Sequence, residues 1–189
     1  MLKRSFSGQP DNVLRPVRQI ILENNTVFPI EKIVDNFKGG TKSIIFNDDE
    51  IDNLFHYKYG QSYTFSTLAL LYPTLDFKNK FHVDHIYPQA FFTKKKLTKN
   101  GVPHDKHDFY FDNYNYLANL QLLEGIPNQE KSDMDFKTWL ERTYRNPADR
   151  KDFMKKHYIP DIDLSFDNFE NFIKGREELM FDAYKSILK

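Results

Sequence analysis

Apolar residues recur at helical spacing through the first 74 residues, and breakers divide them into short segments. Residues 11–24 place Leu14, Val17, Ile20 and Ile21 on one helical face, with Pro16 near the start. A second helix spans 30–37 and stops at Gly39-Gly40, where left-handed backbone meets no side-chain clash. Asn47, followed by Asp48, Asp49 and Glu50, forms an N-cap with an acidic first turn, and Gly60 ends a segment carrying Leu54, Phe55 and Tyr59. Those acids complement the helix dipole rather than gather on a metal, because adjacent helical positions point in different directions. Residues 62–72 form a buried helix closed by Pro73.

At Phe81 the pattern shortens to a β-branched and aromatic run over 81–87, a strand that Pro88 closes. A lysine-rich connection containing Pro and Asn follows, then a second strand over 119–123, then a helix from about Asn128 that carries Trp139 and Leu140. Two more helices follow Pro147. The last starts at Ser165, and its stripe of Phe166, Phe169, Phe172, Ile173, Met180, Tyr184 and Ile187 marks core or interface. The expected fold is α+β and mainly α-helical. It comprises a helical flank over 1–74, a strand–strand–helix unit over 75–143, and C-terminal helices over 144–189 that pack on the same domain.

Composition narrows the function classes. With 18 Phe and 11 Tyr against 7 Gly and 9 Pro in 189 residues, the chain has a core and is neither disordered nor collagen-like. Zero Cys removes disulfide scaffolds, thiolate zinc sites and thiol nucleophiles together. The longest apolar run, 68–72, is far below the ~18 residues of a membrane span, and the first ten residues lack an apolar signal region. A cytoplasmic protein is expected. The 27 basic and 27 acidic residues cancel, yet 75–106 holds seven Lys against three Asp, a net of +4. Acidic excess falls at 47–52 and 161–178, so one side of the molecule is expected to be cationic.

Candidate chemistry collects in the strand–strand–helix segment. Asp84 and the Asn128 side-chain carbonyl are oxygen ligands suited to Mg²⁺ or Mn²⁺, with water and substrate phosphate filling the remaining positions. Neighbouring His85 titrates near neutral pH and suits the removal of a proton from an attacking water. Asn119 is expected to hold that imidazole. Lys131, three residues after Asn128 on the same helical face, is expected to reach phosphate. His82 alternates with Asp84 along the strand and either supports metal or phosphate or is structural. Lys94, Lys95 and Lys96, with Lys99, carry no Arg or Gln fork and suit phosphate contacts rather than base reading. His104 and His107 read as part of a polar loop rather than a zinc site, and His56 and His157 belong to no motif.

The order Asp84-His85 in one strand, Asn119 before the next and Asn128 at the helix start resembles an HNH endonuclease of the ββα-metal type. Residues 83–89, Val-Asp-His-Ile-Tyr-Pro-Gln, with Asn128-Gln-Glu-Lys131, resemble the Asn-ended HNH domains of RNA-guided CRISPR nucleases. The flanks at 57–59, 70–81 and 172–176 resemble the C-terminal nuclease domain of GmrSD-like modification-dependent restriction proteins. That resemblance implies DNA as substrate, anti-phage defence as the biology, and a ParB-like nucleotidase domain or subunit as partner. One such site cuts one strand, so cleavage of both requires two nicks or a homodimer. The competing readings are a noncatalytic nucleic-acid or protein-binding module of the same fold, and a nuclease toxin.

Overall fold

The computed structural model of the chain describes residues 3, 5, 6, 8–24, 27–76 and 78–188. Met1, Leu2, Arg4 and Ser7 of the N-terminal stretch read above, Asn25, Thr26, Phe77 and Lys189 lie outside the described residues. Among the described residues the chain is mainly helical, with one two-stranded antiparallel sheet.

Helices α1 (Asp11–Leu22) and α2 (Ile30–Phe37) come first. Val13 and Ile33 are their buried positions, whereas Leu14 and Ile21 of the expected inner face are exposed, because the inward arc of α1 is rotated toward Val13. Helix α3 (Asp48–Asp52) opens with a reciprocal cap: Glu50 N donates to Asn47 Oδ1 at 2.8 Å, and Asn47 N donates to Glu50 Oε2 at 2.9 Å. A 3₁₀ turn and helix α4 (Thr64–Leu70) lead to strand β1 (Phe81–His85).

The lysine-rich connection, for which the pattern predicts no element, contains two helices, α5 (Lys94–Lys99) and α6 (His107–Asn113). Thr93 caps α5 by accepting from Lys96 N, and Leu97 is its buried anchor, so a helix of about one and a half turns forms without an apolar stripe. Strand β2 (Leu120–Glu124) then pairs with β1, Asp84 facing Gln121 and His85 facing Leu120.

The single helix expected from Asn128 to Leu140 is two, α7 (Gly125–Lys131) and α8 (Phe136–Thr143). Ser132 adopts φ 43°, which ends α7, and Asp135 restarts the chain by accepting from Thr138 N at 2.9 Å. Helices α9 (Pro147–Lys156) and α10 (Phe169–Leu188) complete the chain.

The sheet separates two apolar clusters. Leu123 belongs to one, with Ile86, Tyr87 and Trp139, while Leu120 and Leu122 belong to the other, with Leu54 and Leu68. Helix α10 supplies both, Phe169, Phe172 and Ile173 to the first and Met180 and Tyr184 to the second. Ile187, expected to extend that stripe, is exposed near the helix end. No helix among the described residues is long and apolar enough to cross a membrane.

Candidate active site

Pairing of β1 with β2 fixes His82 opposite Leu123 and Asp84 opposite Gln121, and α7 packs across both strands. Gly125 N donates to Lys80 O at 3.2 Å, tying the start of α7 to the entrance of β1. His82, Asp84, His85 and Asn128 consequently line one cleft of about 320 Å³, with Tyr59, residues 88–90, Ser132 and Asp133. A larger groove of about 640 Å³ elsewhere is lined by Asp52, Glu177, Glu178 and Asp182, a charge pattern unsuited to a polyanion.

Asp84 is held from behind. Gln121 Nε2 donates to its Oδ2 at 2.9 Å, and Lys131 Nζ lies 3.2 Å from Oδ1 and 3.1 Å from Oδ2. Lys131 also donates to His85 O at 2.5 Å and is fully buried. The expected contact of Lys131 with substrate phosphate is therefore corrected: its ammonium is spent inside the protein, where the carboxylate and the carbonyl compensate the desolvated charge. Burial lowers the affinity of Lys131 for its proton, and the charge of Asp84 opposes that shift.

His85 Nε2 lies 2.9 Å from Asn115 Oδ1. An amide oxygen only accepts, so Nε2 carries the proton and Nδ1 keeps a lone pair. Burial lowers the His85 pKa below the ordinary value of 6.5, against the opposing influence of Asn115 and Asp84, and the imidazole is neutral at pH 7. Tyr59 and Tyr114 flank the ring, with centroids at 4.6 Å and 6.3 Å.

Asn119 does not hold the imidazole. Fully buried, it accepts from Tyr87 N at 3.0 Å and donates to Tyr87 O at 3.1 Å and Tyr114 O at 2.8 Å, pinning the backbone that leaves β1. Asn115 takes the role expected of it. Spacing alone does not single out Asn115 among Asn100, Asn113, Asn115 and Asn119, and Tyr59 precedes the strand–strand–helix segment by sixteen residues or more.

Lys94, Lys95 and Lys96 do not line the cleft. They sit at the start of α5, just beyond its wall at residues 88–90, with Lys96 Nζ 4.9 Å from the centre of the Phe91 ring. The polar loop expected around His104 and His107 is instead a 3₁₀ turn carrying His104 and the start of α6 at His107; their ring centroids lie 4.6 Å apart, and the Nε2 of buried His107 lies 3.1 Å from Val102 O.

No protein-family model and no curated protein matches this chain. The chemistry is therefore read from the donor set itself. A carboxylate with about four acceptor sites, two oxygens partly used, shares the cleft with the amide of Asn128, and Gln121 Oε1 beside Asp84 is buried without a hydrogen-bond partner. These oxygen donors, with the Asp133 carboxylate on the same lining, fit a hard divalent cation completed by water. The charge of Lys131 against Asp84 limits the affinity for that cation.

Proposed function

We propose that the chain is a metal-dependent HNH endonuclease that hydrolyses DNA phosphodiester bonds, built on a ββα-metal unit of β1, β2 and α7. The observation that carries this reading is the convergence of Asp84, Asn128 and a neutral His85 with an unprotonated Nδ1 on one cleft. In this reading Asp84 and Asn128 hold Mg²⁺ or Mn²⁺, which supplies charge stabilisation at phosphate oxygens. His85 takes a proton from water at Nδ1, Asn115 keeps the ring in that tautomer, and Lys131 orients the Asp84 carboxylate. The placement of this activity in restriction or anti-phage defence rests on the GmrSD-like resemblance.

Supercoiled plasmid incubated with the protein and Mg²⁺ or Mn²⁺ is expected to yield nicked circles, and a chelator to prevent them. Plasmid left intact with either cation, or nicked equally under chelation, would overturn the reading. Asp84→Ala and Asn128→Ala are each expected to weaken Mn²⁺ binding in calorimetry, because each removes an oxygen from a site with few protein ligands. Unchanged affinity in both variants would remove these residues from the metal site.

Helix α5 extends the same surface as a backbone-contacting arm. Replacing Lys94, Lys95 and Lys96 by Gln is expected to weaken binding equally on two unrelated duplexes and to flatten the salt dependence by up to about 0.9 log units per log unit of salt for each lost phosphate contact. Identical salt slopes for the variant and the wild type would remove α5 from the interface.

A further inference from the structure

His85 belongs to a column of four rings. Tyr59 packs on His85 with centroids 4.6 Å apart and planes at 36°, His85 faces Tyr114 at 6.3 Å and 25°, and Tyr114 stacks on Phe92 at 5.0 Å and 26°. The inner end, Phe92, is buried in the core, whereas Tyr59 is 47% exposed and lines the cleft. A flat aromatic surface therefore stands in solvent directly beside Asp84 and His85.

The ring is carried on a held backbone. Tyr59 N donates to Asn115 O at 2.9 Å, Lys58 pairs with Tyr116 across an isolated antiparallel bridge, and Lys58 N donates to Gln61 Oε1 at 2.9 Å. Gly60 at φ +82° closes the turn. Asn115 thus fixes both the imidazole, through its side chain, and Tyr59, through its carbonyl. Positioning the ring before ligand arrives lowers the cost of ordering it on binding.

We propose that Tyr59 is a stacking platform for an unpaired nucleobase next to the scissile phosphate, which makes single-stranded or locally unpaired DNA the substrate class of this site. The proposal rests on the nuclease reading above. Every base has a π face, but in a duplex that face is covered by neighbouring pairs and only base edges are presented in the grooves. A ring at the cleft mouth gains a partner from a strand whose bases are free and gains little from an intact duplex. The rival role for Tyr59 is to shield His85, which predicts no preference between the two forms of DNA.

The test is binding under chelation, which needs no turnover. Fluorescence anisotropy compares a short single strand with the blunt duplex of the same sequence, and a 2-aminopurine in the single strand reports stacking. Tyr59→Ala is expected to weaken single-strand binding roughly 5- to 150-fold while duplex binding changes by less than about twofold. Quenching of 2-aminopurine is expected with wild type and Tyr59→Phe and to be lost in Tyr59→Ala and in the bulkier nonaromatic Tyr59→Leu, all four proteins having matching circular dichroism. Equal effects of Tyr59→Ala on both forms, or no effect on either, would overturn the platform. Either of those Tyr59→Ala results, obtained while wild type still nicks plasmid with Mg²⁺, removes the platform and leaves the nuclease. If wild type neither binds DNA nor nicks plasmid, the nuclease reading falls and the platform with it.

Discussion

His85→Ala is expected to slow plasmid nicking by about 10²–10⁴-fold while leaving the fold and DNA affinity in place. The imidazole is held by one side-chain hydrogen bond to Asn115 and by flanking rings, so its loss removes the base without unpairing a strand of the sheet. The pH profile gives a second readout. Because burial depresses the His85 pKa, the neutral base persists below pH 6.5, and activity falls only as pH drops through the lowered value. The acid limb of the wild-type rate profile should therefore lie below pH 6.5, and any residual activity of His85→Ala should lack that limb. Equal nicking rates for the two proteins would exclude His85 as the base.

Arg176→Met is expected to destabilise the protein by about 3–5 kcal/mol, a large share of the ~5–15 kcal/mol that holds a domain together. Arg176 is fully buried in α10; its Nη1 donates to Ala118 O at 2.7 Å and Leu120 O at 2.8 Å, and its Nε donates to His157 O at 3.2 Å. Burial pulls its pKa down to about 10, which still leaves it charged at neutral pH. Removing the guanidinium relieves that desolvation but leaves three buried carbonyls without a donor, each at about 1–3 kcal/mol, so the loss wins. Two of those carbonyls flank Asn119, which pins the backbone at Tyr87. Chemical denaturation measures the effect. Arg176→Lys should recover only part of it, because one ammonium nitrogen cannot serve Ala118 O and Leu120 O, reached by Nη1, together with His157 O, reached by Nε.

The sequence showed the parts of this architecture whose causes are local. Both strands, the N-cap at Asn47 with its acidic first turn, and the starts of α2 and α9 follow from alternation, capping residues and proline within a few positions. The helices between the strands were hidden because α5 has a single buried apolar residue, Leu97, and therefore no periodic stripe. The break after α7 was hidden because Ser132 takes a left-handed conformation with neither Gly nor Pro to announce it. At the site, the grouping of Asp84, His85 and Asn128 was legible from spacing. The burial of Lys131 was not, since its compensating carboxylate lies 47 residues earlier and only the tertiary fold brings them together.

The strands that carry the site are far apart in sequence. Thirty-four residues, including α5 and α6, separate His85 from Leu120, so β1 and β2 cannot zip from a tight turn and must close a long loop before their pairing is rewarded. Helix α10 then contributes Arg176 to the backbone that enters β2. Helices α1 to α6 can gain local structure early, whereas the Asp84–Gln121 pair, the Lys131 contact and the Asn119 pin all depend on this late, nonlocal closure. Refolding kinetics should show helical signal rising before the tertiary signal of Trp139, which lies in the core cluster on one side of the sheet.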